Sequence, residues 1–216
     1  EEYTGEVAFF IEQVTGHVIP DFRFAVANGV DAVIARLDEQ IAKEGDGEKK
    51  VNFEAMKVAL DGVRVLAARY ADLAGEQMAG ADETRRAELA LMQAALCRVP
   101  AKGADTLYEA IQSFLLLWQV MCLEQTPNPF ALSVGNADRI FEPYRARDNL
   151  DRETASALFK HFLVFFNVGD RSWAISQNVL LGGKDRQGHD LTNEMTYAIL
   201  DAYCDMNLPQ PILSVK

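Results

Sequence analysis

The side chains best suited to proton transfer or nucleophilic chemistry are three histidines and three cysteines. Cys97, Cys122 and Cys204 lie far apart in apolar helical contexts and form no C-x-x-C pair. They are expected to be buried structural thiols, with neither a zinc site nor a disulfide framework. His161 stands among Phe159, Phe162 and Leu163 and reads as a core or boundary imidazole, whereas His189 falls in a hydrophilic turn and reads as solvated. His17, set between Gly16 and the apolar turn Val18-Ile19-Pro20, is the histidine best placed to serve a site.

Other constellations are thin. The chain has no phosphate-binding loop ending in Gly-Lys-Ser/Thr, no H-E-x-x-H and no G-x-S-x-G elbow. The Gly182-Gly183 pair lacks the further glycine and helix that a dinucleotide site needs. Ser133-Val134-Gly135-Asn136-Ala137-Asp138 is a loop-to-helix junction that either caps a helix through Asn136 or Ser133 or presents a loop to a ligand. The neighbours Asp138-Arg139 and Asp170-Arg171 read as surface pairs or loop anchors, not as acid/base couples.

Most of the elements that must position these residues are helical. Apolar residues recur at three and four over residues 22–43, which predicts one amphipathic helix followed by a polar loop over residues 44–50. A second helix, residues 53–78, carries Phe53, Met56, Leu60, Val63, Leu66, Ala67, Tyr70 and Leu73 on one face. Gly62 within it is expected to let a neighbouring helix approach. Asp82 caps a third helix running to Cys97, and Thr106 with Glu109 forms a capping box for a fourth. That fourth helix holds Phe114, Leu115, Leu116, Leu117, Trp118, Val120, Met121 and Leu123, has no wide polar face, and should be surrounded by protein.

Pro127 and Pro129 then impose extended or looped backbone over residues 126–134. Short helices follow over residues 137–147 and 153–167, the latter capped by Asp151, and a last one begins at Asp190 or Thr192. Two apolar runs break the helical pattern, residues 172–183 and 211–215, and both read as strands of a core. The fold class is therefore mainly α with a few β-strands.

At 216 residues and 49% hydrophobic, the chain can bury one sizeable core, and no internal repeat or convincing linker divides it. A net charge of −11 disfavours nucleic acid or an anionic membrane as partner and fits an acidic cytoplasmic protein. No apolar run approaches the ~20 residues of a membrane span. The sequence opens at Glu1 without methionine and stops at Lys216 just after a strand-like run, which reads as a piece cut from something longer.

Several phrases gain meaning as an ordered set. They are Gly16-His17-Val18-Ile19-Pro20-Asp21, Arg98-Val99-Pro100-Ala101, Glu109-Ala110-Ile111-Gln112-Ser113-Phe114 and Ser133-Val134-Gly135-Asn136-Ala137-Asp138, followed by Ser176-Gln177-Asn178-Val179-Leu180-Leu181-Gly182-Gly183, Thr192-Asn193-Glu194 and Leu208-Pro209-Gln210-Pro211-Ile212-Leu213-Ser214-Val215-Lys216. Together they resemble the central part of the large domain of glycyl radical enzymes, the pyruvate formate-lyase and diol dehydratase superfamily. The resemblance spans nearly the whole chain, making residues 1–216 part of a truncated pyruvate formate-lyase-like domain.

The resemblance implies helices wrapped around a barrel built from two half-barrels of strands, with a radical site at its centre. In the family a glycyl radical, installed by a separate S-adenosylmethionine-dependent activating enzyme, oxidises a cysteine to a thiyl radical that abstracts hydrogen from substrate. Neither the Gly-Cys-Val-Glu-like cysteine loop nor the Arg-Val-x-Gly-Tyr-like glycine motif occurs in these 216 residues. No catalytic residue, cofactor or metal is thus assigned to this chain, which alone should be inert, while the parent should be a cytoplasmic, anaerobic, homodimeric radical lyase or formate acetyltransferase-like enzyme. Diol dehydratase relatives carry a His-Ser pair on a loop where this chain has Phe130 and Ala131, and an aromatic residue where it has Ser176. The expected pocket residues are His17, Phe130, Ala131, Ser133 and Ser176. The rival readings are a noncatalytic helical scaffold and a small-molecule binding module without radical chemistry.

Overall fold

In a computed structural model, residues 16–124, 130–167 and 177–216 are described. The chain divides into two compact units: Arg23–Leu117 forms one, and the described part of residues 1–22 joins Trp118–Lys216 in the other.

In the first unit, the periodic stretch expected to form one helix is two, α1 (Phe22–Asn28) and α2 (Val30–Lys43). The break is Gly29, whose φ of 81° lies in the left-handed region and whose missing Cβ would sit 2.3 Å from the Ala101 carbonyl oxygen. Residues 100–104 fill that gap. The first N–H groups of α2, Val30 and Asp31, donate to Pro100 and Ala101 at 2.8 and 3.0 Å, and Ala104 donates to Val26. Helix-start donors that would otherwise be orphaned are thereby satisfied by a crossing chain. Hydrophobic periodicity could not register this, because it continues in phase through the glycine.

Of the polar stretch read as a loop over residues 44–50, residues 44–46 are loop as expected, but residues 47–50 already belong to the 31-residue helix α3 (Gly47–Gln77). Asp46 caps it, its Oδ1 accepting from Glu48 N at 2.9 Å. The buried seam of α3 is Val63, Ala67, Ala71 and Ala74, whereas Met56, Tyr70 and Leu73 from the expected apolar face are exposed. Small side chains let α4 (Glu83–Arg98) pack closely on this seam, where Ala67 and Ala71 meet Leu96 and Leu116. The glycine at that contact is Gly75: a Cβ there would lie 2.5 Å from Gln93 Nε2, which donates to the Ala71 carbonyl. Gly62 faces open space, against expectation.

Asp82 caps α4 as expected, accepting from Arg85 N at 2.8 Å, and the Thr106–Glu109 box opens α5 (Leu107–Glu124). Ile111 and Ser113 through Trp118 are buried, but Leu123 is exposed, so the helix is enclosed along its middle and not at its end.

The second unit combines three helices with parallel strands. β1 (Gly16–Val18) pairs with β2 (Phe130–Leu132), and β4 (Asn178–Leu181) lies between β3 (Gly135–Asn136) and β5 (Ile212–Val215). Val18, read as the start of an apolar turn, thus closes a strand that also holds Gly16 and His17. These are a two-stranded and a three-stranded sheet, and one further bond on each brings them to adjacent residues. Ser133 N donates to Val18 O at 3.1 Å and Val134 N to Asn178 O at 3.0 Å, so β2 and β3 are successive parts of one extended stretch.

Helix α6 (Ala137–Arg147) packs on β4, and α7 (Arg152–Phe165) packs on α8 (Glu194–Met206). Phe141 meets Phe159 and Phe162 edge-on at 5.9 and 5.7 Å, and Trp118 lies 4.6 Å from Phe166. Each such pair contributes roughly 0.5–1.5 kcal/mol beyond the area it buries. Asp151 caps α7 as expected, while α8 is capped by Asn193, one residue beyond Thr192, the later of the two expected starts, and three beyond Asp190. Among the described residues no helix is long and apolar enough to cross a membrane.

Candidate functional site

The site is built on the sheet of the second unit, whose two faces differ. On one, Leu132, Val134, Val179 and Leu181 are buried, and α6 packs against β4. On the other, Ser133, Asn136, Asn178, Leu180 and Ser214 are half-buried and Ile212 is 45% exposed. On β4 this alternation is the period of two that gives a strand one covered face and one more accessible face, whereas on β5, at the edge, Leu213 is half-buried and Val215 is exposed. At Gly135, φ of 81° interrupts the extended backbone, so that Ser133 and Asn136, three apart, both escape full burial.

The expected pocket residues distribute as follows. His17 on β1 falls beside Ala131 on β2, between the register pairs Gly16–Phe130 and Val18–Leu132. Ser133 follows on the same stretch, bonded through its backbone to Val18. The sheet therefore brings the backbones of His17, Phe130, Ala131 and Ser133 together. Ser176 lies outside the described residues, as do the Asp170-Arg171 neighbours, and β4 begins two residues after Ser176.

Of the two readings for Asp138-Arg139, the loop anchor holds and the surface pair does not: Asp138 is fully buried and holds the strand ends together. Its Oδ2 accepts from Gly182 N at 2.6 Å and from Thr196 Oγ1 at 2.7 Å, while Arg139 donates through its guanidinium to the Gly182 carbonyl. The turn after β4 is thus gripped at both its N–H and its C=O. Thr196 also forms the reciprocal capping box with Asn193. Glu142, paired bidentately with Arg145 and holding its pKa up, accepts from Met195 N at 3.0 Å. Two carboxylates consequently face the start of α8, where the helix dipole favours negative charge. The sequence signal for this anchor was Asp138 in the first turn of a helix that follows a strand, combined with a Gly-Gly turn needing an acceptor.

The remaining chemistry-bearing residues stand apart. His161 is at the surface with its ring edge-on to Phe165 at 5.1 Å, and partial desolvation lowers its pKa. His189 is solvated as expected, Nδ1 lying 2.9 Å from Asp185 Oδ2, and this contact holds the Asp185 carboxyl below its usual range. Cys122 is buried, but Cys97 and Cys204 are exposed, because each sits on the outward side of its helix. Cys97 opens onto a groove floored by Ala67, Ala71 and Leu96 in the first unit. Among the described residues no three His, Cys, Asp or Glu side chains gather to hold a metal ion.

A parallel sheet with a helix packed on one face is an arrangement that the wall of a helix-wrapped barrel shares. Residues 4–216 match the pyruvate formate lyase-like family model, and the chain belongs to that family of glycyl radical enzymes. It is 32% identical over 188 residues to a trans-4-hydroxy-L-proline dehydratase of Clostridioides difficile, covering 78% of this chain and 23% of the relative. A solved glycerol-bound B12-independent glycerol dehydratase from Clostridium butyricum superposes with a TM-score of 0.86 at 25% identity, over 94% of this chain and 28% of that one. A glycyl radical enzyme from Archaeoglobus fulgidus gives 0.84 at 25% identity, over 99% and 31%. The chain thus spans about a quarter to a third of the length of the relatives it matches.

Proposed function

We propose that this chain forms part of the reaction-chamber wall of a cytoplasmic glycyl radical lyase or dehydratase, with His17, Phe130, Ala131, Ser133 and Ser176 beside the substrate. The observation that supports it most is the β1–β2 pairing, which sets the backbones of His17, Phe130, Ala131 and Ser133 together, continuing directly into the sheet whose half-buried face carries Asn136, Asn178 and Ser214. The radical glycine and the thiyl cysteine belong to parts of the parent outside these 216 residues, and the chain alone is inert. An activating enzyme supplies the radical, and the substrate is a small molecule. Phe130 and Ala131 offer it no hydrogen bond, so polyol recognition has to come from other positions. Anaerobic treatment of the full-length parent with its activating enzyme should yield a glycyl radical signal by electron paramagnetic resonance. A fully assembled, folded parent that gives none overturns this reading and favours a noncatalytic scaffold.

A further inference from the structure

We infer that Asn136 and Ser214 are the polar contacts for the substrate, and that together they select a small molecule presenting a hydroxyl or ammonium donor at one end and an acceptor at the other. The inference rests on the proposal above that this sheet face lines the chamber. Parallel register places Asn136 on β3, Leu180 on β4 and Ser214 on β5 in a single row across the sheet. The two polar ends of that row are two strand spacings apart, about 10 Å between backbones, with an apolar centre.

Each end has unused capacity. Asn136 precedes α6 but its side chain makes no capping bond, and its Oδ1 is buried without a hydrogen-bond partner. A buried acceptor left unpaired costs about 1–3 kcal/mol, and a ligand that donates to it recovers that cost. At the other end, Asn178 Nδ2 donates to Ser214 Oγ at 2.9 Å. This bond uses a lone pair of the hydroxyl and orients it, leaving its O–H to donate outward. Leu180, half-buried between them, suits the carbon skeleton. The hydrogen bonding that the Phe130 and Ala131 side chains cannot supply is thus available further along the same extended stretch, at Asn136, and two strands across, at Ser214.

The test uses the full-length parent under anaerobic conditions, with glycerol and trans-4-hydroxy-L-proline as probes in titration calorimetry. Wild type should bind at least one probe, Asn136→Ala and Ser214→Ala should each weaken it about tenfold or more, and Asn136→Asp should retain binding by keeping the acceptor. A residue acting only through structure would destabilise the protein when truncated. Asn136→Ala should leave the ligand-free unfolding midpoint equal or higher, because it removes an unsatisfied acceptor. Wild-type affinity in either alanine variant overturns the inference. Failure of both probes to bind a parent that does form the glycyl radical also overturns it while leaving the enzyme reading intact, and absence of the radical overturns that reading instead.

Discussion

At the scale of single residues, Asp138 matters most to the geometry of the second unit, because its one buried carboxylate joins the first turn of α6, the turn after β4 and the first turn of α8. Asp138→Ala strands the Gly182 N–H and the Thr196 hydroxyl in a dry interior, and about 3 kcal/mol of stability should be lost. Urea unfolding measures this directly; a loss under about 0.5 kcal/mol would show that water or a neighbour replaces the carboxylate. His161 makes a contrasting case. Desolvation depresses its folded pKa below the unfolded value, so the unfolded chain binds more protons as pH falls. Its contribution therefore favours the folded state least below its unfolded pKa of about 6.5, and improves as pH rises through that value. His161→Gln should flatten the difference in melting temperature between pH 7.5 and 5.5 relative to wild type, and an unchanged difference would assign the effect to other groups.

At the scale of elements, three glycines on or between helices play three roles, and substitution by alanine separates them. Gly62 has open space around the Cβ position, so Gly62→Ala should stabilise α3 by about 1 kcal/mol through helix propensity alone. Gly29→Ala should cost more than about 3 kcal/mol, since a positive φ and a backbone carbonyl both oppose the methyl group. Gly75→Ala should fall between them, because the atom it meets is the movable end of Gln93. Thermal melts should rank Gly62→Ala highest, Gly75→Ala next and Gly29→Ala lowest, and equal melting temperatures for Gly62→Ala and Gly29→Ala would refute the assignment. The same positions show how much of the fold was legible in the sequence. Caps with local chemistry, Asp82, Asp151 and the Thr106–Glu109 box, could be read because both partners lie within one turn. The Gly29 break could not, because its cause is a chain segment some seventy residues later. Of the buried seam of α3, Val63 and Ala67 were read but Ala71 and Ala74 were passed over for larger side chains, since burial there follows from close helix approach and not from side-chain size.

At the scale of the whole molecule, the candidate site was legible as an ordered set of phrases but not as a surface, because the sheet register that joins residues 16–18, 130–136 and 178–181 depends on long-range pairing. The polar row of Asn136 and Ser214 was hidden for the same reason: either residue alone resembles a turn or strand-end position. That register also determines how the isolated 216-residue chain should behave. Among the described residues β5 pairs with β4 alone, and Ile212 and Val215 are 45% and 62% exposed. Ile212 N and Lys216 N donate inward, to Gln177 and Leu181, at 2.7 and 3.1 Å. By the two-residue period of a ladder, the N–H groups of Leu213 and Val215 point outward from the free edge. Such an edge templates pairing with another chain. The isolated chain should therefore associate in a concentration-dependent manner, and Val215→Pro should reduce this, since proline removes an outward donor without touching a bond to β4. Ser214→Pro, one residue away, deletes an inward donor and should destabilise the sheet instead. Light scattering after size exclusion, with near-ultraviolet circular dichroism to confirm native packing, separates the two effects. A wild-type chain that stays monomeric at high concentration, or a folded Val215→Pro variant that associates as strongly as wild type, would rule out pairing through this edge.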